Sequence, residues 1–260
     1  MSHTFNAPRK SLGQNFLQDP NIIRKIVGAV GITANDVVVE IGPGRGALTD
    51  LLIDTGCRLH LIEFDRDLVS YWQDRASTLK RLSVHGGDVL QFDFSSLALS
   101  PGQKVKVVGN LPYNISSPIL IRMLEHTELI DRLVIMLQKE VIDRLEAQPN
   151  TKIYGRLSVV LQQAFDIHAL FTVPNTAFFP PPKVTSAVAQ LIPHTRFSIR
   201  DQHVFADLVK TAFAQRRKTL RNNFKKSPYQ STLHNSEIDL GRRAETLSVL
   251  EFVELANSVK

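Results

Sequence analysis

The chain has 260 residues, of which 43% are hydrophobic, and its 31 Lys and Arg against 25 Asp and Glu give a formal net charge of +6. This composition fits a globular protein with a sizeable core and excludes a disordered chain. A single cysteine excludes an internal disulfide framework, and eight scattered histidines without an HxxxH pair argue against a zinc site, so we expect no metal. Because no apolar run approaches the roughly 20 residues of a membrane span and the start shows no signal peptide, we expect a cytoplasmic protein without a membrane partner.

Short apolar runs alternate with helical patterns over the first two thirds of the chain. Such alternation predicts an α/β fold, a parallel sheet with crossover connections that helices cover on both faces. The last two predicted strands are joined by a proline-rich loop that no helix could hold, so this close pair would form an antiparallel edge. The predicted strands are residues 37–42, 58–65, 82–84, 105–108, 133–137, 167–173 and 186–192, and the predicted helices between them are 47–55, 68–79, 117–124 and 140–147.

After Pro193 the chain becomes helical. Apolar residues at helical spacing predict amphipathic helices near 205–213 and 245–256. We therefore place a domain boundary near residue 195. The prediction is an α/β domain over residues 1–195 and a small all-helical domain over residues 196–260.

The positive charge is concentrated in one segment of the predicted helical domain. Residues 200–226 contain eight Lys and Arg and two Asp, whereas the rest of the chain carries 23 residues of each sign. A neutral body with one basic segment indicates local contact with a polyanion rather than a generally adhesive surface. The alternative is a solvated helix end. The candidate contacts are Arg216, Arg217, Lys218 and Arg221.

A turn rich in glycine, Gly42-Pro43-Gly44-Arg45-Gly46, follows the first predicted strand. Glycine permits a sharp turn and lets a ligand approach the backbone closely, which makes Gly42 and Gly44 candidates for cofactor binding. The spacing G-x-G-x-G departs from the G-x-G-x-x-G of dinucleotide sites and disfavours NAD. An ordinary strand-to-helix turn is the alternative interpretation.

Acidic residues lie at the ends of three successive predicted strands, at Glu40, Glu63 and Asp88. Open α/β sheets bind ligands at this edge, and Glu63 has the offset of an acid that accepts hydrogen bonds from ribose hydroxyls. An acidic site repels phosphate but suits a nucleoside with positive charge. S-adenosylmethionine has ribose hydroxyls, an ammonium, a sulfonium and no phosphate, so we predict it as the cofactor. Any one of these acids alone could be a solvated strand end.

The fourth predicted strand runs into Asn110-Leu111-Pro112-Tyr113. The lone pair of the adenine amine is delocalised into the ring, and acceptors aimed at its N–H groups would draw the nitrogen toward tetrahedral geometry. The Asn110 side-chain oxygen and the Leu111 carbonyl could be these acceptors, with Tyr113 stacking on the base. Catalysis of methyl transfer would then rest on positioning and preorganised dipoles. Plain turn chemistry is the alternative for an isolated N-x-P.

These motifs together resemble the rRNA adenine N6-dimethyltransferases. The segment 212–224 in particular is similar to the bacterial small-subunit enzymes of the KsgA type rather than to the erythromycin-resistance methylases of the large subunit. The resemblance rests on KSLGQNFL (10–17), EIGPGRGALT (40–49), IEFD (62–65), GD (87–88), NLPYNIS (110–116), FFPPPKVTSAV (178–188) and AFAQRRKTLRNNF (212–224), which extend across nearly the whole chain.

The resemblance implies a class I (Rossmann-like) S-adenosylmethionine-dependent methyltransferase sheet with a small all-helical C-terminal domain. The implied substrate is a pair of adjacent adenosines in the hairpin loop near the 3′ end of 16S rRNA, within the immature 30S subunit. Each adenosine would receive two methyl groups, a transferase step of small-subunit ribosome biogenesis. We expect the protein to be a monomer.

The resemblance also implies roles for individual residues. Tyr113 would stack on one face of the target base, and either Phe178 or Phe179 on the other; the sequence leaves that choice open. Asn15 and Leu17 would contact the methionine end of the cofactor. The implied set of cofactor contacts is Asn15, Leu17, Gly42, Gly44, Glu63, Asp88 and Asn110.

Two other functions stay open at this point. One is a different nucleic-acid adenine methyltransferase, which acts on large-subunit rRNA or on DNA. The other is a protein without catalysis, either a ribosome-assembly factor or a transcription-factor relative. The intact glycine turn, acidic strand ends and Asn-Leu-Pro-Tyr segment favour an enzyme, since a pure binding protein needs none of them.

Overall fold

In the computed structural model, residues 8–9, 13–231 and 237–259 are described. The chain folds as two compact units. The first comprises the residues up to Ile142 together with His168–Pro193, and the second comprises Asp143–Ile167 together with the residues from His194 onward. None of the helices in the described ranges is both long and apolar enough to cross a membrane.

A seven-stranded sheet forms the centre of the first unit. Its strand order is β4-β3-β2-β5-β6-β9-β7, and the neighbours from β4 through to β6 run parallel. Strand β9 pairs antiparallel with β6 and neighbours β7, so the sheet is parallel with an antiparallel step towards the edge that the two last predicted strands form. The strands are β2 (Val37–Ile41), β3 (Arg58–Glu63), β4 (Leu82–Gly86), β5 (Val105–Asn110), β6 (Ile130–Gln138), β7 (Phe165–Val173) and β9 (Ser186–Pro193).

Helices α1 (Pro20–Val30), α2 (Thr49–Asp54), α3 (Arg66–Ala76) and α4 (Ser116–Leu124) belong to the first unit. Helix α1 is absent from the helices predicted above, although its ends carry clear signals. Asp19 caps it by accepting hydrogen bonds from the backbone N–H groups of Asn21 (2.8 Å) and Ile22 (3.2 Å), and Gly31 ends it in the left-handed conformation.

A separate two-stranded sheet joins two distant segments. Strand β1 (Phe16–Leu17) runs antiparallel to β8 (Phe178–Phe179), with Phe16 opposite Phe179 and Leu17 opposite Phe178. The Gln18 N–H extends this pairing by donating to the Ala177 carbonyl at 2.8 Å. The pairing fixes the amino-terminal strap, residues 13–18, against the proline-rich loop.

The second unit is built around helices. They are α6 (Arg156–Gln162), α7 (Gln202–Ala212), α8 (Leu220–Phe224) and α9 (Val249–Asn257), and α5 (Lys139–Leu145) crosses the boundary between the units. The amphipathic helices predicted after Pro193 correspond to α7 and α9. Basic residues 216–218 lie between the end of α7 and the start of α8.

The division into two units differs in one respect from the prediction, which places a single domain boundary near residue 195. The prediction places residues 143–167 in the α/β domain, whereas the structure groups Asp143–Ile167 with the second unit. The physical reason is packing, because α6 contacts α7 and α9. The Tyr154 hydroxyl, buried in this unit, also donates to the Leu247 carbonyl at 3.0 Å.

Candidate active site

The carboxyl ends of β2, β3 and β5 open into a cavity of about 650 Å³. The glycine turn, the segments that follow β3 and β4, the Asn-Leu-Pro-Tyr segment and the amino-terminal strap form its walls. Parallel strands explain this convergence, because their carboxyl ends meet at one edge of the sheet. The structure brings together at this cavity the predicted residues Asn15, Leu17, Gly42, Gly44, Glu63, Asp88, Asn110 and Leu111. Their individual roles stay predictions.

The cavity wall is strongly acidic. Four acidic side chains line it, those of Glu40, Asp50, Glu63 and Asp88, and Arg45 is the basic residue among its described lining residues. The Arg45 guanidinium lies over the Phe16 ring, 4.3 Å from the ring centroid. A surplus of carboxylates favours a cationic ligand over a phosphate.

Glu40 is the most buried of these acids, with 1% of its surface exposed. Burial, with a smaller repulsion from the Glu63 carboxylate, raises the pKa of Glu40 to about 8. Within the described residues its Oε2 has no hydrogen-bond partner. A buried carboxyl oxygen of this kind is a ready acceptor for a donor that enters the cavity.

Glu63 connects β3 to the glycine turn. Its Oε2 accepts from the Gly44 N–H at 3.1 Å, and its Oε1 accepts from the N–H groups of Phe64 and Asp65, both at 2.9 Å. Burial raises the pKa of the Glu63 carboxyl even though these hydrogen bonds oppose the shift. The carboxylate is thus held rigidly at the place where ribose hydroxyls were predicted to bind.

Two glycines of the turn have no room for a side chain. Gly44 has a φ of +55°, and a Cβ there would lie 3.1 Å from Cε1 of Phe16. Gly46 has a φ of +96°, and a Cβ there would lie 2.9 Å from Cη2 of Trp72. The turn therefore requires glycine both for its backbone conformation and for its close packing.

The Asn110 side chain is oriented by the amino-terminal strap. Its Nδ2 donates to the backbone carbonyl of Asn15 at 3.0 Å. Because the amide nitrogen is engaged there, the amide oxygen is the free acceptor end of this cavity-lining side chain. Asn15 thus acts on this side chain through its backbone, while its own Nδ2 donates to the Gly13 carbonyl at 3.2 Å.

The predicted base-stacking residues lie outside the lining of the cavity. The Tyr113 hydroxyl is 2.6 Å from Oγ of the buried Ser186, and burial raises the pKa of Tyr113. Phe178 packs in the core with 4% of its surface exposed, whereas Phe179 is 52% exposed. One of the two phenylalanines is therefore a core residue, and which of them contacts a base stays open.

The four predicted RNA contacts have different surroundings in the second unit. All four side chains are exposed, but only Arg217, Lys218 and Arg221 extend from the unit without the contacts described next for Arg216. Arg216 is engaged within the unit, because its Nε lies 3.2 Å from Oε2 of Glu245 and its Nη2 donates to the Lys152 carbonyl. The local charge count could not distinguish these environments.

Several residues at the site escaped the sequence analysis. Phe64 follows Glu63 directly, lines the cavity and is 61% exposed. A large apolar residue directly after the acidic strand end could have indicated a ligand contact from the sequence. Asp50 lines the cavity from the first turn of α2. Trp72 packs in the core, and its Nε1 also donates to the Gly44 carbonyl at 2.9 Å. Among the residues that the structure describes, no cluster of His, Cys, Asp or Glu is arranged to hold a metal ion.

The sheet topology has a close counterpart among solved structures. A dimethyladenosine transferase from Plasmodium falciparum superposes with a TM-score of 0.74 at 26% identity, over 92% of this chain and 95% of that one. The fold and the acidic cavity at its switch point define a Rossmann-like methyltransferase.

The sequence comparisons agree with this class. The ribosomal RNA adenine dimethylase family matches residues 5–260. The ribosomal RNA small subunit methyltransferase A of Shewanella oneidensis is 46% identical over 99% of this chain and 96% of its own length. That of Xanthomonas oryzae pv. oryzae is 47% identical over 99% and 98%. The chain therefore belongs to the ribosomal RNA adenine dimethylase family. This confirms the family that the sequence resembles and the predicted activity, a transferase that dimethylates adenine in rRNA.

Proposed function

We propose that this chain dimethylates the N6 amines of two adjacent adenosines in the 3′-terminal hairpin loop of 16S rRNA, on the immature 30S subunit, with S-adenosylmethionine as the methyl donor. Family membership supplies the rRNA adenine dimethylation. The names of the Shewanella and Xanthomonas relatives support the small subunit as the target. The main observation behind the proposed chemistry is the position of the Asn110 amide. It lines an acidic cavity and is held there by its hydrogen bond to the Asn15 carbonyl of the strap.

The residues of the cavity fit S-adenosylmethionine. Its walls are acidic, and the buried Oε2 of Glu40 offers an acceptor to a cationic or N–H donor. In our proposal Glu63 holds the ribose hydroxyls, Asp88 faces the adenine amine, and the backbone of Gly42 and Gly44 lines the ligand. Asn15 and Leu17 flank its methionine end. When bound, S-adenosylmethionine supplies an electrophilic methyl group on a sulfonium centre.

The chain's own residues then position the target amine. In the first transfer the Asn110 Oδ1 and the Leu111 carbonyl accept hydrogen bonds from the two N–H groups, which frees the nitrogen lone pair. In the second transfer the monomethylated amine has one N–H for these acceptors, and the nitrogen loses one proton in each transfer. These acceptors are preorganised, because Nδ2 of Asn110 is tied to Asn15 and the Leu111 N–H donates to the Met136 carbonyl at 3.1 Å. The hydroxyl contact with Ser186 holds the Tyr113 ring, which we assign to stacking on the base.

The second unit supplies the contact to the RNA backbone in this proposal. The exposed side chains of Arg217, Lys218 and Arg221 present three positive charges within five residues. Clustered cations of this kind bind phosphates without reading sequence and release counterions. We place the reaction in the cytoplasm, where a monomer would meet the assembling 30S subunit.

The test is methyl incorporation into 30S particles that lack the modification, with mass mapping of the methylated nucleotides. We expect two dimethylated adenosines in the 3′-terminal hairpin of 16S rRNA and no incorporation into 50S particles or duplex DNA. Methylation of either of those substrates instead would replace this proposal with the alternative enzyme class.

The variant Asn110→Ala tests the assigned chemistry on the same particles. We expect loss of at least 100-fold in turnover, in the range seen when a preorganised transition-state contact is removed, with RNA binding unchanged. Wild-type turnover in this variant would remove Asn110 from the mechanism.

A further inference from the structure

Helix α3 reaches the glycine turn through the chain's single tryptophan. Trp72 is completely buried, and its indole Nε1 donates to the Gly44 carbonyl at 2.9 Å. The N–H of the same glycine donates to Oε2 of Glu63 at 3.1 Å. Gly44 is therefore held on both of its polar groups, once from the end of β3 and once from α3.

Two further contacts extend this hold along the turn. The indole edge lies against Gly46, where an added Cβ would come within 2.9 Å of Cη2 and 3.0 Å of Cζ2. The Arg75 guanidinium stacks on the indole at 5.0 Å and pairs with Asp50 at 2.7 Å, in the first turn of α2. The tryptophan and its neighbour on α3 thus contact the middle of the turn at Gly44, its end at Gly46, and the start of the helix that follows it at Asp50.

We propose that Trp72 is a positioning residue, which holds the glycine turn in its ligand-binding conformation before the cofactor arrives. The inference rests on the proposed binding of S-adenosylmethionine in this cavity. Gly42, Gly44 and Gly46 all have positive φ, and glycine loses more conformational freedom on ordering than any other residue. If the turn is already ordered, cofactor binding does not have to supply this entropy. The affinity of the protein for the cofactor is therefore higher.

The single tryptophan allows a test of the hydrogen bond alone. Replacement of Trp72 by 3-benzothienylalanine keeps the bicyclic shape and substitutes sulfur for the N–H donor. The measurement is the Kd of S-adenosylhomocysteine on RNA-free protein by calorimetry, with the thermal midpoint recorded in parallel. We expect binding to weaken about fivefold, the size of one neutral hydrogen bond, with KM for the cofactor raised equally and kcat unchanged.

A matched control separates positioning from core packing. Phe94 is also a fully buried aromatic residue of the first unit, but its ring packs on Phe92 and His126 and not on the glycine turn. Phe94→Leu should lower the thermal midpoint and leave the Kd unchanged, whereas Trp72→Phe should lower both stability and affinity.

The outcomes distinguish this inference from the proposed function. A wild-type protein that does not bind S-adenosylhomocysteine contradicts the proposed cofactor and the inference together. Wild-type binding with an unchanged Kd for the benzothienyl protein overturns the positioning role alone. An equal loss of affinity in Phe94→Leu would also overturn it, because affinity would then follow general stability.

Discussion

Buried carboxyl groups set the chemistry of the cavity at the scale of single residues. The sequence predicts that Glu40, Glu63 and Asp88 converge, because parallel strands end at one edge of a sheet. It could not predict their different environments. Glu63 accepts three backbone hydrogen bonds, whereas Oε2 of Glu40 has none from the described residues. Such differences depend on how each side chain is packed, which neither spacing nor residue type records.

The raised pKa of Glu40 makes the stability of the protein depend on pH. With a pKa of about 8 in the folded state against 4.5 ordinarily, the folded protein binds the extra proton between these values. The stabilising effect of that proton is fully present below about pH 4.5 and is lost as the pH rises through 8. Glu40→Gln should therefore be more stable than wild type at pH 9, by about 2–4 kcal/mol, and similar to it at pH 4.5.

Unfolding in urea at several pH values checks this expectation. The exposed Glu128 offers a control, since Glu128→Gln should show no such trend. A stability difference for Glu40→Gln that stays constant with pH would contradict the assigned proton.

At the scale of elements, the short strand β1 is the feature with the least local signal. Two residues cannot show a period, and only the resemblance to a family indicated that Asn15 and Leu17 belong to the site. The structure supplies the reason, since the Phe16 ring packs on Gly44 and lies under the Arg45 guanidinium while β1 pairs with β8. Longer strands were predicted well because buried parallel strands are nearly continuous in apolar residues.

We predict that the geometry of the Asn110 amide depends on Phe16, because both Phe16 and Asn15, to which the amide is hydrogen-bonded, lie in the strap. Phe16→Ala removes the contacts with Gly44 and Arg45, so the Asn15 carbonyl should hold Asn110 less firmly. We expect kcat to fall about tenfold, on the order of the effect of a small misplacement at a reacting centre. Single-turnover methylation at saturating cofactor measures this step.

The control for the strap is a half-buried phenylalanine of the same unit. Phe92 packs on His85 and Phe94 and does not line the cavity. Phe92→Ala should cost stability without the fall in kcat. Equal rates in the two variants would show that the strap has no part in positioning the amide.

At the scale of the whole molecule, the two units divide the charge. The cavity of the first unit is acidic, and the basic segment 200–226 belongs to the second. The sequence revealed this division, because charge can be counted along a chain. It did not reveal that Asp143–Ile167 joins the second unit, since an apolar helix face does not specify which core will receive it.

The basic segment should control the salt dependence of RNA binding. Each phosphate contact contributes about 0.7–0.9 to the slope of log K against log salt concentration. Neutralising Arg217, Lys218 and Arg221 together to glutamine should therefore reduce the slope by about 2 to 3, while the Kd for S-adenosylhomocysteine stays at the wild-type value.

Arg216 differs, because Glu245 and the Lys152 carbonyl already engage it. Arg216→Gln should lower the thermal midpoint of the protein and change the slope less than single glutamine replacements of Arg217, Lys218 or Arg221. Filter binding over about one decade of salt concentration measures the slope. An unchanged slope in the triple variant would mean that the RNA is held by other residues, and the charge division would then have no role in docking.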